Sequence, residues 1–366
     1  MNSRDRLARA ASNVDGSYKN ALNLSHVNCT RHGVILAPDG SDIEIEGVLN
    51  PGVTRARSGE LILYPRKVAL GNISRIGVVR CNGGLPNTKY ERLNVILAPE
   101  TEYEIRDQPG GFGCEDARVT FVPVLDMFVM AYTAFGLRGP RIALAISEDG
   151  YRWSRIGLVH FAGTELNALD NKDAAFFPEP VLSPADVLSF AMYHRPMLPF
   201  SVNGQTPVSA IRGLDLVDRE ATCIAYVPVE NVLLDLQNLR FPQESIKVLH
   251  VDPVWGSLKN GAGTPPVRTE LGWLSIFHAV DAFGPDDNFS RIYSAGIVIH
   301  DLERPHRILY RSPQPVLKPE TELERFGVVD NVVFPTGIDA VGDGQYDIYY
   351  GAADTRIARA RVTIKF

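Results

Sequence analysis

Two acidic residues and an arginine lie between a glycine-rich turn and a strand-like run in the stretch GFGCEDARVTF, residues 111–121. If this run is extended, its side chains alternate between two faces, so that Asp116 and Arg118 share one face and Glu115 lies on the other. Such a carboxylate is either part of an ion pair at a strand end or a catalytic acid at the mouth of a pocket. The stretch by itself favours the ion pair.

Five further segments place charged or polar side chains beside apolar, strand-like runs. Each alone has an ordinary explanation, because arginines often lie at strand ends, histidines often lie in cores, and KNGAG lacks the spacing of a phosphate-binding loop. Several basic side chains at strand ends with acids nearby nevertheless indicate a shared site. The segments contain Asn50 and Arg66 in LNPGVTRARSGELILYPR, Lys172, Asp173 and Glu179 in NKDAAFFPEPV, His194 and Arg195 in FAMYHRP, Lys259 and His278 in LKNGAGTPPVRTELGWLSIFHAV, and Asp354 in DIYYGAAD.

The composition excludes several classes of partner. The chain has 366 residues with 22% charged residues and a net charge of -6, so general attraction to nucleic acid or to an anionic membrane is not expected. It contains no apolar run that would span a bilayer, no secretory signal at its start, and four scattered cysteines without a CxxC pair. We therefore expect a cytoplasmic protein with free thiols, no metal site and no cofactor.

The elements that must position these residues are short strands. From about residue 33 onward, apolar runs of strand length are separated by turns such as PDG (38–40), NGG (82–84), EDG (148–150) and GDG (342–344). So many strands must hide their edges, and a β-propeller does so economically at this length, with a pair of β-sandwiches as the alternative. Strand ends of a propeller converge on its axis. We predict one domain over residues 26–366 after a polar arm at 1–25.

Nine segments of this chain, taken in order from about Asn50 to Arg359, resemble glycoside hydrolase family 130, the mannoside phosphorylases and related β-mannosidases. They are NPG, LYPR, EDAR, YTAF, NKDAAFFPE, YHRP, KNGAGTPPVRTELGWLSIFH, NVVFPTG and YYGAAD. The resemblance implies an all-β, five-bladed β-propeller with a central active-site pocket. Departures from the family pattern, including Ala117 in place of proline and Asp330 before NVVFP, leave the aglycone specificity open.

The resemblance also implies roles for individual residues. It makes Asp116 the catalytic acid, and in the family the proton is thought to reach the leaving oxygen through a sugar hydroxyl. The remaining assignments are Arg195, Lys259, Lys172 and His278 for phosphate, and Asn50, Arg66, Asp173, Tyr132 and Asp354 for the sugar substrate. Inorganic phosphate is then a co-substrate.

The chemistry of phosphorolysis agrees with this set of side chains. Breaking a glycosidic bond with inversion needs a protonated acid on the leaving oxygen and a nucleophile on the opposite face of the ring. When phosphate attacks directly, cations replace the carboxylate that would otherwise activate water. Asp116 must then carry a proton at neutral pH, so we predict that Arg118 points away from it, toward Glu115 or another acid.

Three functions follow as hypotheses. The first is inverting phosphorolysis of a β-mannoside to α-mannose 1-phosphate, with a β-linked mannoside and phosphate as the binding partners. The second is hydrolysis of a β-mannoside, with Glu179, Glu324 or Asp330 as the base. The third is a non-catalytic carbohydrate-binding propeller. The presence of Arg195 and Lys259 favours phosphate, and the polar arm is a possible site of homo-oligomer formation.

Overall fold

The computed structural model describes residues 20–83, 88–163, 165–285 and 289–365. Residues 1–19 of the predicted polar arm lie outside the described residues. The remainder of the arm contacts the body of the protein, because the side chain of Asn20 donates to the carbonyl of Arg311 and the amide of Ala21 donates to the carbonyl of Leu309. The division of the chain at residue 26 stays a prediction.

The chain is built from antiparallel sheets of four main strands each, in sequence order. The first sheet contains β2 (Gly47–Arg55), β3 (Leu61–Ala69), β4 (Ile73–Asn82) and β5 (Lys89–Leu97). The second contains β6 (Phe112–Val122), β7 (Met127–Gly136), β8 (Gly139–Ser147) and β9 (Ser154–Leu158). A short parallel pairing of Ile73 and Ser74 with Phe112 and Gly113 joins these two sheets at one edge.

Two further sheets each carry an additional two-residue strand, and the last sheet closes the fold. The third contains β10 (Asn171–Phe176), β11 (Val181–Leu182), β12 (Leu188–Pro196), β13 (Thr222–Pro228) and β14 (Glu244–Leu249). The fourth contains β15 (Lys259–Ala262), β16 (Val267–Arg268), β17 (Trp273–Phe283), β18 (Ser290–His300) and β19 (Ile308–Arg311). The fifth contains β20 (Val333–Gly342), β21 (Gln345–Ala352), β22 (Arg356–Lys365) and β1 (His26–Leu36), so the two ends of the described chain pair with each other.

One hydrophobic cluster fills each interface between neighbouring sheets. Ile276 and Phe277 are consecutive on β17, and alternation sends Ile276 to the fifth sheet and Phe277 to the third. Both faces of a sheet are therefore buried, which explains the nearly continuous apolar runs in the sequence. Representative buried residues, interface by interface, are Ile62 with Met130, Leu144 with Phe176, Ile224 with Phe277, Ile276 with Ile348, and Leu63 with Tyr349.

The innermost strands β2, β6, β10, β15 and β20 contact one another around a common axis. Gly52 approaches β6 so closely that a Cβ atom there would lie 2.7 Å from the carbonyl oxygen of Ala117, which requires glycine at this position. The other contacts join Thr120 to Phe176, Gly261 to Asp173, Gly263 to Pro335, and Thr336 to Pro51. The protein is an all-β propeller, as predicted, and this ring of contacts is consistent with five blades.

In the described residues, the α-helices are few and short. They are α1 (Val208–Arg212), α2 (Val229–Leu234) and α3 (Glu322–Arg325), of which α3 begins with a capping box between Thr321 and Glu324. Within the described ranges, no helix has the length and apolar character needed to cross a lipid bilayer.

A β-bulge interrupts the innermost strand in each of the first three sheets. The pairing register shifts between Leu49 and Gly52 in β2, between Glu115 and Arg118 in β6, and between Lys172 and Ala175 in β10. Each bulge contains one polar residue with a positive φ: 45° at Asn50, 51° at Asp116 and 62° at Asp173. Asparagine and aspartate adopt this left-handed conformation more readily than other residues with a side chain. The bulges set the direction of three of the predicted site residues.

Candidate active site

The carboxyl group of Asp116 is held by two donors. One carboxyl oxygen, Oδ1, accepts from Nδ2 of Asn50 at 2.9 Å and from Nη1 of Arg66 at 3.3 Å. Asp116 is 8% exposed, so its side chain is almost entirely buried. The structure thus brings together three residues that the sequence had placed in one site.

Glu115 lies on the same side as Asp116, and the prediction that it lies on the opposite face is wrong. Arg66 donates from Nη2 to Glu115 at 2.9 Å while its Nη1 contacts Asp116. The cause is the bulge between Glu115 and Arg118, because an extra residue with a left-handed backbone interrupts the alternation of side chains. Arg66 therefore binds both acids.

The prediction that Arg118 points away from the carboxyl group of Asp116 is confirmed. Its Nη1 donates only to the backbone carbonyl of Asp116, and its Nε donates to the carbonyl of Gly263 at 3.1 Å. Its Nη2 reaches the carboxylate of Asp173 at 3.4 Å, so the acid it approaches is Asp173 rather than Glu115. The positive charge of Arg118 is thus compensated by Asp173 and not by the carboxyl group of Asp116.

Asp173 lies at the centre of a cationic cluster. Its Oδ2 accepts from Nε of Arg195 at 2.7 Å and lies 3.6 Å from Nε2 of His278. Burial works against ionisation, but the positive charges of Arg195 and Arg118 outweigh it and hold the pKa of Asp173 well below its ordinary value. Asp173 is therefore an ionised group among the predicted phosphate-binding residues.

Arg195 is bound by two carboxylates. In addition to Asp173, its Nη1 donates to Oε2 of Glu220 at 2.8 Å, and Glu220 also accepts a short hydrogen bond from the hydroxyl of Thr206. All four residues are buried. The guanidinium is locked in place by this arrangement, which fixes the direction of its remaining donors.

Lys259 is the cation of this cluster that lacks such a partner. Within the ranges that the structure describes, no carboxylate lies within ion-pairing distance of its Nζ, although Glu220 is close enough to act on it electrostatically. Burial, followed by the positive charge of Arg195, lowers the pKa of Lys259 to about 8. Lys259 is mostly protonated at neutral pH and is available to bind an anion.

His278 and Lys172 complete the predicted phosphate set. Burial lowers the pKa of His278 to about 3, so its imidazole is neutral, and the ring stacks on Phe334 with centroids 4.4 Å apart. The Nζ of Lys172 lies 3.8 Å from Glu115. Its positive charge makes a small contribution to the electrostatics of both Asp354 and Lys259. Lys172 therefore lies between the acidic and the cationic parts of the site.

Asp354 joins the acidic part from the turn between β21 and β22, where it has a φ of 48°. Burial raises the pKa of Asp354 to about 6, with the negative charges of Asp116 and Glu115 acting in the same direction and Arg66 opposing them. Its carboxyl group thus titrates close to neutral pH.

Tyr132 is not brought into this site. Its ring packs in the cluster between the first and second sheets, and its hydroxyl donates to Oε1 of Glu104 at 2.7 Å. Tyr132 is 2% exposed and its neighbour Glu104 is fully buried, so the side chain has no free polar edge to offer a sugar. The structure therefore does not bring Tyr132 together with the other residues predicted to bind the sugar.

The three acids considered as hydrolytic bases lie apart from the cluster. Glu179 forms an exposed ion pair with Arg268 at 2.7 Å, and Glu324 is bound by Arg31 and caps α3. Asp330 accepts from the amide of Gly327 at 3.2 Å on an exposed loop. Each of them has a structural role where it stands.

Three residues of the cluster were missed by sequence reasoning. Glu220 follows the segment LDLVDR, which has no strand pattern to suggest that it lies in the site. Tyr293 and Arg291 lie on β18, and only the antiparallel pairing with β17 brings them beside Lys259. Tyr293 lies near His278, with ring centroids 6.5 Å apart. No signal in a single sequence identifies such pairings.

The cysteines do not contribute a nucleophile. All four are free, and Cys114, the one nearest to Asp116 in sequence, is fully buried. Burial raises the pKa of the Cys114 thiol well above its ordinary value, so it is not a reactive thiolate. In the part of the chain that the structure describes, no group of three or more His, Cys, Asp or Glu residues is arranged to hold a metal ion.

The fold and the site together define a β-propeller enzyme in which a buried acid faces a group of buried cations. A family model for glycoside hydrolase family 130, described as β-1,4-mannooligosaccharide phosphorylase, matches residues 226–365. A 1,2-β-oligomannan phosphorylase from Thermoanaerobacter sp. (strain X514) is 32% identical over 298 residues, covering 80% of this chain and 80% of that protein. The chain belongs to glycoside hydrolase family 130.

Solved structures share the fold at lower identity. The β-1,2-mannobiose phosphorylase from Listeria innocua, in complex with β-1,2-mannobiose, has a TM-score of 0.66 at 23% identity and covers 91% of this chain and 96% of that one. A second structure has a TM-score of 0.68 at 19% identity, covering 94% and 96%; its description states that this family of mannoside phosphorylases contains glycoside hydrolases that target β-1,2 mannosidic linkages in Candida mannan. Family membership and the named relatives support a glycoside phosphorylase enzyme.

We predict that Asp354→Asn stabilises the protein at alkaline pH. The folded-state pKa of Asp354 is raised from 3.8 to about 6, so ionisation is unfavourable in the folded protein, and the cost grows as the pH rises from 3.8 and is complete above 6. At about 1.4 kcal/mol per pKa unit, the substitution should raise the free energy of unfolding by up to about 3 kcal/mol at pH 8. Urea denaturation measures this.

The gain should shrink as the pH is lowered from 8 to 5, where the native carboxyl group becomes protonated as well. Asp343→Asn, on the exposed turn between β20 and β21, is the matched control. A gain that is independent of pH, or a loss at pH 8, would contradict the raised pKa of Asp354.

Proposed function

We propose that the protein is an inverting β-mannoside phosphorylase, which uses inorganic phosphate to release α-mannose 1-phosphate and a shortened sugar. The observation that carries this proposal is the presence of Lys259, a buried cation without a carboxylate partner in the described residues, beside the Arg195–Asp173 pair. A buried ammonium group needs an anion, and phosphate supplies one.

The positions of the acid and of the phosphate-binding residues support displacement with inversion. Asn50, Arg66 and Asp116 come from the first two sheets, whereas Arg195, Lys259 and His278 come from the third and fourth. The acid and the cations therefore border the pocket from different blades. In the proposed step, a phosphate oxygen forms a bond to the anomeric carbon, the glycosidic bond breaks, and the proton of Asp116 ends on the leaving oxygen.

The hydrogen bonds of Asp116 indicate which oxygen carries that proton. Oδ1 accepts from Asn50 and Arg66, so its lone pairs are occupied. The other oxygen, Oδ2, has no hydrogen bond among the described residues and is the one that can hold and deliver a proton. Arg118, which would compete for the carboxyl group, donates to its backbone carbonyl instead.

We propose a β-1,2-linked mannoside as the substrate to test first. The relative from Thermoanaerobacter is named for 1,2-β-oligomannan, and the Listeria innocua structure contains β-1,2-mannobiose. The family model is described for β-1,4-linked mannooligosaccharides, so β-1,4-mannobiose is the second substrate.

Hydrolysis of a β-mannoside is the second candidate function. It is favoured by one observation, the structural similarity to a protein whose description states that the family contains glycoside hydrolases. Hydrolysis requires a carboxylate that activates water from the face opposite the acid. Glu179, Glu324 and Asp330 are engaged outside the cluster, and Asp173 is bound by two arginines, so phosphorolysis is the better-supported reaction.

The proposal predicts that product formation depends on phosphate. The purified protein, incubated with β-1,2- or β-1,4-mannobiose, should release mannose 1-phosphate only when phosphate is added, as followed by anion-exchange chromatography with the anomer assigned by NMR. Free mannose at the same rate with and without phosphate would show hydrolysis instead. If no product forms from either substrate, carbohydrate binding without catalysis would be the remaining function.

Asp116→Asn should lower kcat by about 10²–10⁴-fold, which is the usual contribution of a general acid. The amide keeps the size and can still accept from Asn50 and Arg66, so the thermal midpoint should change little. Asp126→Asn, at an exposed ion pair with Arg57, is the control and should retain wild-type turnover. A near-normal rate for Asp116→Asn would mean that another group supplies the proton.

Lys259 should make phosphate binding dependent on pH. Its pKa is lowered to about 8, so it is charged below that pH and loses its charge above it. The phosphate KM of the wild-type enzyme should therefore rise as the pH increases from 7 to 9, and Lys259→Ala should have a high phosphate KM at every pH with a nearly normal mannoside KM.

Lys259→Arg is the informative companion, because a guanidinium stays charged throughout this range. Its phosphate KM should rise less steeply between pH 7 and 9. Equal effects of Lys259→Ala on the two KM values, or the same pH slope in wild type and Lys259→Arg, would contradict the role of Lys259.

A further inference from the structure

Arg291 is a partly buried cation that lies next to the phosphate residues but belongs to none of the assignments made so far. On β18 it precedes Tyr293 by two residues, and the regular pairing of β18 with β17 places both side chains on the same face. Val280 of β17 is opposite both Tyr293 and Lys259. Lys259, Val280 and Tyr293 therefore lie in one row across the sheet. Arg291 lies two residues before Tyr293, at the beginning of β18.

Within the described residues, Arg291 has no carboxylate partner of the kind that Arg66, Arg118 and Arg195 have. Arg66, Arg118 and Arg195 each contact a carboxylate. The Nε of Arg291 is buried with no hydrogen-bond partner in the part of the chain that is described, and its guanidinium stacks over the ring of Phe289 at 4.8 Å. Stacking occupies the face of the guanidinium and leaves its edge free to donate.

Arg291 acts electrostatically on the site. Burial is the largest cause of the lowered pKa of Lys259, and the positive charge of Arg291 contributes in the same direction. Burial raises the pKa of Tyr293, and Arg291 opposes that shift more than any other charge does. Both effects agree with the strand pairing, which places Arg291 beside Tyr293 and near Lys259.

A cavity of about 350 Å³ lies between Arg291 and the segment that precedes α1. Phe289 and Arg291 form one wall, and Phe200, Val202 and Thr206 belong to the other. The hydroxyl of Thr206 donates to Glu220, which in turn binds Arg195. The cavity is thus joined to the phosphate residues on both sides, through Arg291 on one wall and through Thr206 on the other.

The geometry of inversion indicates which substrate uses this cavity. The attacking phosphate and the leaving sugar occupy opposite faces of the mannosyl ring. The leaving sugar must be near Asp116, whereas the cavity is lined by Arg291 and by Thr206, whose bond to Glu220 leads to Arg195. A cavity on the cationic side serves the nucleophile, and a guanidinium edge is suited to two oxygens of phosphate.

We propose that Arg291 is a further phosphate-binding residue, which captures phosphate in this cavity and passes it to Lys259. This inference rests on the proposed phosphorylase function. Unpaired positive charge along such a path raises the local concentration of an anion and the rate of its entry.

The test compares the phosphate KM and the mannoside KM of Arg291→Gln with those of the wild-type enzyme. Loss of one charge-assisted hydrogen bond should raise the phosphate KM by about tenfold or more. The mannoside KM, and kcat at saturating phosphate, should stay unchanged. Titration calorimetry with inorganic phosphate alone should show the same loss of affinity, which gives a readout that does not depend on turnover.

Two further variants sharpen the result. Arg291→Lys keeps the charge and loses the planar fork, so its phosphate KM should lie between those of wild type and Arg291→Gln. Arg268→Gln is the matched control, because Arg268 lies toward the opposite end of the same blade in an exposed ion pair with Glu179 and should behave like wild type.

The possible results distinguish a failure of the role proposed for Arg291 from a failure of the proposed phosphorylase function. A phosphorylase in which Arg291→Gln keeps the wild-type phosphate KM and calorimetric affinity would refute the role of Arg291 and leave the proposed function standing. A rise confined to the mannoside KM would assign the cavity to the sugar. Wild-type release of free mannose without any need for phosphate would refute the proposed function, and the inference with it.

Discussion

The site depends on three left-handed residues at bulges of the innermost strands. Asn50, Asp116 and Asp173 each interrupt a regular strand with a positive φ, at a cost on the order of 1 kcal/mol each. A regular strand would turn its side chains alternately into the two interfaces with the neighbouring blades. The bulges instead turn consecutive polar residues toward the axis, so that Glu115 and Asp116 reach one guanidinium, that of Arg66. Buried hydrophobic clusters on both sides of each sheet hold the strained segments in place.

The buried charges divide the site into groups that are compensated and groups that are not. Asp173 binds Arg118 and Arg195, and Glu220 binds Arg195 from the other side. Such pairs are needed because an isolated buried charge is costly. The same argument makes the buried Lys259 informative and, to a lesser degree, the partly buried Arg291, since the described residues offer neither of them a hydrogen-bonded carboxylate. Their charges are balanced when an anion is bound, which connects the electrostatics of the resting protein with the substrate it is proposed to use.

Much of the fold was predictable because its signals are local. Alternating and continuous apolar runs with Asp-Gly and Asn-Gly turns predicted an all-β chain, and the order of nine segments predicted the family and thereby the propeller. The site was predictable in part. Asn50, Arg66 and Asp116 do meet, Arg195 and His278 gather around Asp173, and Lys259 lies near Arg195. Tyr132 does not join either group, because its ring packs between the first two sheets and its hydroxyl donates to Glu104.

The sequence alone determined the strands, the turns and the kinds of side chain available, since these follow from hydrophobic period and residue type. The tertiary structure decided which of those side chains meet. Glu220, Tyr293 and Arg291 enter the site through pairings between residues far apart in the chain, and no local pattern records such pairings. The partner of Arg118 was decided in the same way. A bulge removes the alternation from which the sequence argument began, and the carboxylate that Arg118 reaches belongs to another blade.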